Sequence, residues 1–387
     1  VKNRIVQLGE VITIDRATAS EAECRTLPYV GLEHIEKGAG NFTADFSCQP
    51  ETLLATKVRF TPQHVLYGKL RPNLNKVALP HFDGVCTTEI FPLLPKPQSL
   101  DRRYLYAVLL SQRFVKWASN SVAGANLPRL APERLRGYEL ELPDLTEQQR
   151  IAGQLEQADR LRRTRRYALE LTDTFLPAAF LELFGNSSFS CVALEELATG
   201  KRNSFVNGPF GSDLLTSELT DSGVPVIYIR DISSGRYERT SSAFVTPTKA
   251  AELEFCNLKP GDVLVAKVGA PPGIAAIYPA TEPEGIVTQD VIRIRPNTEL
   301  VSALYLQGFL NSRLAHQEMT KIMVEGTRLR FGLGQFKGIL VPVPPLHLQQ
   351  EFTVLVEQVE RLRAVQREAS RQAEHLFAPL LDRAFNG

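Results

Sequence analysis

The chain writes one unit twice, and a duplication of this size constrains the fold more than any single motif. "TEQQRIAGQLEQADRLRR" from Thr146 reappears as "HLQQEFTVLVEQVERLRA" from His347, 201 residues later. The likeness runs well beyond that helix. "LPYVGLEHIEKG" from Leu27 corresponds to "VPVIYIRDISSG" from Val224, "HVLYGKL" from His64 to "DVLVAKV" from Asp262, and "TTEIFPLLPK" from Thr87 to "TQDVIRIRPN" from Thr288. "RGYELELPDLTEQQR" from Arg136 corresponds to "KGILVPVPPLHLQQE" from Lys337. The offset drifts only from 197 residues at Pro28 to 201 at Pro143, so small insertions separate the copies. Near its start the second copy carries extra turn-rich residues, "NGPFGSDLLTSELTDSG".

Each copy reads as an α+β head followed by a long helix. Apolar and β-branched residues with Gly and Pro punctuation predict strands at 28–32, 64–66, 89–94 and 139–142, and again at 225–230, 262–267, 290–294 and 339–343. One helix is expected at 103–119 and another at 303–319. A proline-bearing exit then leads into a long helix, with Thr146 and Gln149 as a capping box and Asp144 just upstream. In the second long helix Phe352, Leu355, Val359, Leu362, Ala369, Ala373 and Leu376 step as a heptad seam with a polar gap at Gln366. Equivalent positions in the first are Ile151, Gln154, Ala158, Leu161, Ala168, Thr172 and Phe175, with the gap at Arg165. Such a seam wants a partner, and the other copy is the obvious one. Antiparallel pairing of Ile151 with Leu376 would bring Arg165 and Gln366 within about one turn of each other, as polar residues that fix register.

Composition is that of an ordinary water-soluble protein: 43% hydrophobic, 22% charged and a net charge of +1. Near-neutrality counts mildly against nucleic acid as a partner, although a local basic surface is what matters. No apolar run is long enough for a membrane span, and "VKNRIVQLGEV" lacks a signal-like stretch, so a cytoplasmic location is expected. The five cysteines are scattered, which argues against a zinc site or disulfide framework. No phosphate-binding P-loop, H-E-x-x-H or G-x-S-x-G is present. The six histidines show no metal spacing. "APPG" at Ala270 lacks the Asn and the aromatic residue of an amino-methyltransferase motif. Catalytic and metal residues are therefore expected to be absent.

Several motifs resemble the specificity subunit of type I restriction-modification systems: "LGEV" near the start, "YGKLRPNLNK" at Tyr67, "TTEIFPLLP" at Thr87, "LPDLTEQQRIAGQLEQAD" at Leu142, "NGPFGSDL" at Asn207 and "VPVIYIRDI" at Val224. The exit motif before the long helix is the most specific. The second copy departs from it, with His347 for Thr and Phe352 for Ile. The resemblance implies two target-recognition domains, residues 1–143 and 186–345, separated by two long spacer helices, 144–185 and 346–387, that form an antiparallel coiled coil. It implies a non-catalytic subunit that reads a bipartite double-stranded DNA target, one half per head, with the helices setting the half-site spacing and docking two modification subunits. It places S-adenosylmethionine and ATP on partner subunits, the ATP on motor-nuclease restriction subunits, and no cofactor on this chain. Two other readings stay open: a recognition subunit of another defence or modification complex, and a protein-interaction scaffold with no DNA role.

Sequence can be read only by side chains that reach base edges, whereas phosphate contacts position the protein. The candidates in the first head are Lys69, Arg71, Asn73, Asn75 and Lys76, with Asn126 and Arg129. In the second they are Lys201, Arg202 and Asn203, then Lys267 as the counterpart of Lys69, and Arg328 and Arg330 opposite Asn126 and Arg129. The arginines from Arg160 to Arg166 point several ways around a helix. They suit a solvated face, an acidic partner or the DNA backbone rather than base reading.

Overall fold

The computed structural model describes residues 4–38, 40, 42, 56–123, 126–185, 188–209, 211, 213–324 and 328–386. Val1, Lys2, Asn3, Cys48, Phe210 and Ser212, which belong to motifs or counts above, lie outside these residues. Two compact units form: Val1–Arg166 with Glu368–Gly387, and Tyr167–Arg367.

Each unit builds the same sheets. In the first, Ile12–Ile14, Ile90–Pro95, Val65–Gly68 and Val77–Ala78 make an antiparallel four-stranded sheet in that order. Tyr29–Val30, Gly84–Thr87 and Lys57–Phe60 make a second, with the first pair parallel, and Arg4–Gln7 pairs with Glu139–Leu142. The second unit repeats this with Phe205–Asn207, Val291–Ile294, Val263–Ala266 and Ala275–Ile277. Its other sheet holds Val224–Ile227, Gly285–Val287 and Asn257–Leu258, plus Phe244–Val245 as an extra edge. Cys191–Ala193 pairs with Leu340–Pro342. A strand thus forms at each of the eight expected segments.

The expected single helix is two helices in each unit. Arg102–Leu110 stops at Ser111, whose hydroxyl caps Gln112–Asn120 by accepting from the Phe114 amide at 3.3 Å. Ala303–Leu310 is likewise followed by Arg313–Ile322, capped by Ser312. A serine that bonds the next turn's free amide starts a new helix instead of continuing the old one.

The long helices span Leu145–Phe184 and Leu346–Asn386. Asp144, not Thr146, caps the first, accepting from the Glu147 amide at 2.9 Å. The first glutamine of each "QQ" is a buried brace. The Gln148 amide group accepts from the Asp101 amide at 2.9 Å and donates to the carbonyls of Ser99 (3.0 Å) and Pro143 (2.8 Å). Gln349 does the same with Ser302, Leu300 and Pro344. Both are 1% exposed. One side chain thus ties the strand exit and the long helix to the start of the short helix.

The division between units falls inside the long helices because each end of the pair enters a head's core. Ala152, Leu155 and Ala158 pack with Phe377 and Leu381 in the first. Phe180 and Phe184 pack with Phe352 and Val356 in the second.

The helices run antiparallel, but not in the expected register. Arg162, buried, donates to Asp159 one turn back at 2.6 Å and across to Glu374 at 3.2 Å, with its guanidinium 4.5 Å from the Phe377 ring. Arg363 is placed alike in the second unit, in ion-pair range of Glu360 at 3.9 Å and, across the pair, of Asp173. Arg162, Asp159 and Glu374 are each 201 residues, in one direction or the other, from Arg363, Glu360 and Asp173. Both cross-helix contacts put the sum of paired residue numbers at 536 instead of the 527 of an Ile151–Leu376 pairing. Ile151 instead lines a depression with Ala384 and Phe385. Leu161, Phe175, Leu362 and Leu376, expected in the seam, are 41–52% exposed. Arg162 and Arg363 occupy the buried stripe where leucine had been expected. A seam that contains arginine has no apolar period to read at that point, and the neighbouring leucines shift the apparent phase. Other members of the arginine run are also internal ties: Arg163 donates to the Tyr106 hydroxyl at 3.2 Å, and Arg166 pairs with both oxygens of Glu36 at 2.9 and 3.0 Å.

The glutamine brace yields a sharp contrast. Gln148→Ala strands buried donors and acceptors and should destabilise the protein by about 3 kcal/mol. Gln149→Ala, at an exposed neighbour, should stay within about 0.5 kcal/mol. Chemical denaturation followed by circular dichroism compares the two.

Candidate functional site

Basic residues from two distant segments meet at the end of the four-stranded sheet. In the first unit the strand Val65–Gly68 runs on through Lys69, whose amide donates to the Glu89 carbonyl at 3.0 Å. The Lys69 carbonyl then accepts from the Leu130 amide at 2.9 Å, the Arg71 amide donates to Pro128 at 2.8 Å, and Leu70 bridges to Arg129. Arg129 belongs to a small hairpin, Val122–Ala123 with Arg129–Leu130. The second unit repeats this backbone. The Lys267 amide donates to Asp290 at 2.9 Å, the Gly269 amide to Leu329 at 3.2 Å, and Val268 bridges to Arg330 on the hairpin Met323–Val324 with Arg330–Phe331. Lys69 with Arg129, and Lys267 with Arg330, are therefore neighbours. Arg328 stands level with the exposed Leu127, not with Asn126.

Arg71, Asn73, Asn126 and Arg129 are exposed, as are Arg328 and Arg330. Lys69 is half-buried, its ammonium 5.4 Å from the Phe91 ring. Arg71 has φ of 51°, in the left-handed region, directly before Pro72. That conformation is costly for a residue with a Cβ, and the bond from its amide to Pro128 helps to hold it.

Other predicted residues turn elsewhere. Asn75 is buried and donates to the Leu110 carbonyl at 3.1 Å. Lys76 donates to the Leu32 carbonyl, and burial pulls its ammonium pKa below the usual lysine value. Lys201, Arg202 and Asn203 are exposed but sit at the other end of the sheet. They precede Phe205, which pairs with Ile294, whereas Lys267 lies at Asp290. At about 3.4 Å per residue the two ends are roughly 14 Å apart. The Asn203 carbonyl instead caps the guanidinium of Arg293, whose pKa burial and then Arg295 pull down to about 10.

The structure adds residues to the Lys267 end. Asn207 and Gly208 arrive there from the strand that pairs with Val291–Ile294. Gly208 donates to the Thr288 carbonyl at 3.3 Å, and a Cβ on it would lie 2.0 Å from the Val287 oxygen, so only glycine fits. Thr288 in turn donates its amide and hydroxyl to Ile227, both at 3.0 Å. Beyond Ile227, the Arg230 guanidinium stacks 4.6 Å from the Tyr228 ring. The first copy has Gly31 where Tyr228 stands, so comparing the repeats could not point to this pair. Among the described residues no group of three or more His, Cys, Asp and Glu side chains could hold a metal ion, and no helix is long and apolar enough to cross a membrane.

Residues 2–171 and 211–374 match the type I restriction modification DNA specificity domain, one copy for each repeat. The chain belongs to this family. Over 160 residues it is 30% identical to the EcoDI type I restriction enzyme specificity subunit of Escherichia coli, spanning 39% of this chain and only 35% of that protein. The MjaVIII specificity subunit of Methanocaldococcus jannaschii is 21% identical over 318 residues, 79% of this chain and 74% of that one. Two solved structures share the fold. One, from work on complex assembly and conformational transition of the type I R-M system, has a TM-score of 0.59 at 20% identity, covering 99% of this chain and 97% of that one. The other, the type I system S subunit from M. genitalium, has a TM-score of 0.58 at 14% identity, covering 99% and 96%.

In this specificity-family chain the loop carrying Arg230 hangs on Asp231. Its buried carboxylate accepts from the Tyr228 and Thr240 amides, both at 2.8 Å, the Ser241 amide at 2.9 Å, and the hydroxyls of Thr240 and Ser241. Burial alone would raise its pKa, but the hydrogen bonds outweigh burial and hold it below the ordinary value. A lowered folded-state pKa gives stability that is fully present above about pH 4 and lost as pH falls through the folded value. Asp231→Asn should therefore melt below the unsubstituted protein at pH 7, and the gap should close toward pH 3 in a melting series.

Proposed function

We propose that each head reads one half of a bipartite double-stranded DNA target. The observation that carries this reading is the backbone arrangement repeated in both units, which brings Lys69 and Arg129, or Lys267 and Arg330, to one exposed sheet end. Two similar but unlike surfaces suit two unlike half-sites. The reader set is Lys69, Arg71, Asn73, Asn126 and Arg129 in the first head. In the second it is Lys267, Arg328 and Arg330 with Tyr228 and Arg230. Asn75 and Lys76 are internal supports.

The modules are residues 1–143 and 186–345, and the paired helices set the half-site spacing. They also dock two modification subunits. Two sets of exposed apolar residues related by the repeat support this: Leu161 with Leu376, and Leu362 with Phe175. Two equivalent sets suit two copies of one partner. Methylation with S-adenosylmethionine, and ATP-driven translocation and cleavage, then belong to partner subunits.

Exchanging residues 1–140 for another recognition head tests the modular reading. The first half-site should change while the second half-site and the spacing stay, as methylome sequencing of cells carrying the complex would show. Simultaneous change in both halves rules it out. In the second head, Arg330→Ala should weaken binding of the assembled complex to its cognate duplex by roughly 1–3 kcal/mol. Titrations over a salt series separate the two kinds of contact: a slope lower by about one marks a lost phosphate contact, and an unchanged slope with relaxed preference marks a base edge.

A further inference from the structure

The first head contains an arginine that is already braced. Arg129 Nε donates to Glu89 Oε2 at 2.9 Å, with the two side chains 44% and 26% exposed. Glu89 is fixed in turn, because its carbonyl accepts from the Lys69 amide at 3.0 Å. Arg129 is fixed by its ladder bridge to Leu70. With Nε engaged, the two terminal nitrogens remain as a planar pair of donors. Guanine presents two acceptors, O6 and N7, in the major groove, and a paired donor fork is the geometry that matches them. A free arginine loses conformational freedom when it docks; one already held by a carboxylate loses less. The second head lacks the brace. The residue equivalent to Glu89 is Asp290, one methylene shorter, and among the described residues no ion pair joins it to Arg330.

We propose that Arg129 reads a guanine in the half-site of the first head and that Glu89 is the positioning residue that aims it. The proposal rests on the DNA-recognition reading above and names the base. A braced arginine should discriminate guanine from the other bases by about 5- to 150-fold. A phosphate contact would give no base preference.

The test uses the full complex with its modification subunits, expressed in cells whose methylome is sequenced. Absence of any bipartite motif with the unsubstituted chain defeats the DNA-recognition reading itself. Given a motif, Arg129→Ala should relax one guanine position in one half-site and leave the other half intact. Arg129→Lys keeps the charge but not the fork, and should fail to restore that guanine. Glu89→Gln keeps the backbone bond to Lys69 and should relax the same position less. If Arg129→Ala abolishes methylation, equilibrium binding to duplexes with each guanine of that half-site replaced in turn supplies the readout, and melting curves check folding. A half-site without guanine, an unchanged motif with uniformly weaker binding, or full rescue by lysine overturns the proposal.

Discussion

A guanidinium enclosed between helices must find carboxylates, and the antiparallel pair is arranged so that Arg162 and Arg363 do. Each takes one acid from its own helix and one from the partner. Removing a partner from a buried charge costs far more than an apolar contact slipping by a turn. Leucine seams tolerate several registers; a charge that must meet a carboxylate tolerates few. Because each helix also enters a core, the register of the pair determines which core residues face each other in both units.

A second constraint links helix to head. Gln148 and Gln349 join the strand exit, the long helix and the start of a short helix through one amide group each. The sheets then need only short continuations past Lys69 and Lys267 to meet their hairpins. The basic residues at this sheet end are thus placed by ladder bonds, which leaves their side chains free to vary. That division of labour suits a surface whose backbone must hold while its chemistry differs between the two heads.

The fold was largely legible because duplication gave each segment a second witness. Seven of the eight expected segments hold at least one β-branched residue, and the eighth, 139–142, shows apolar residues alternating with glutamates. The helix breaks at Ser111 and Ser312 were not visible, since apolar residues continue across them and only the hydroxyl's hydrogen bond decides. The seam phase was misread because arginine, counted as polar, fills buried positions. At the site, Lys69 with Arg129 and Lys267 with Arg330 were legible as basic residues near turns. Asn75 and Lys201–Asn203 look equally polar in sequence. Their different placement follows from a buried carbonyl and from strand direction, neither of which is local in the chain. Tyr228 and Arg230 have no counterpart in the first copy, so the strongest available signal was silent about them.

The two units differ in how the chain supplies them. The second is one continuous segment, Tyr167–Arg367, whereas the first needs Glu368–Gly387 to complete it. On a ribosome, Val1–Arg166 must therefore wait for Glu368–Gly387, which emerges only after the second unit. Until Phe377 and Leu381 emerge, the apolar face around Ala152 and Leu155 lacks its cover. The second unit has all of its own parts before then and is free to fold while the first still awaits closure. The helix end that follows the second unit is thus the clasp that closes a ring in the chain.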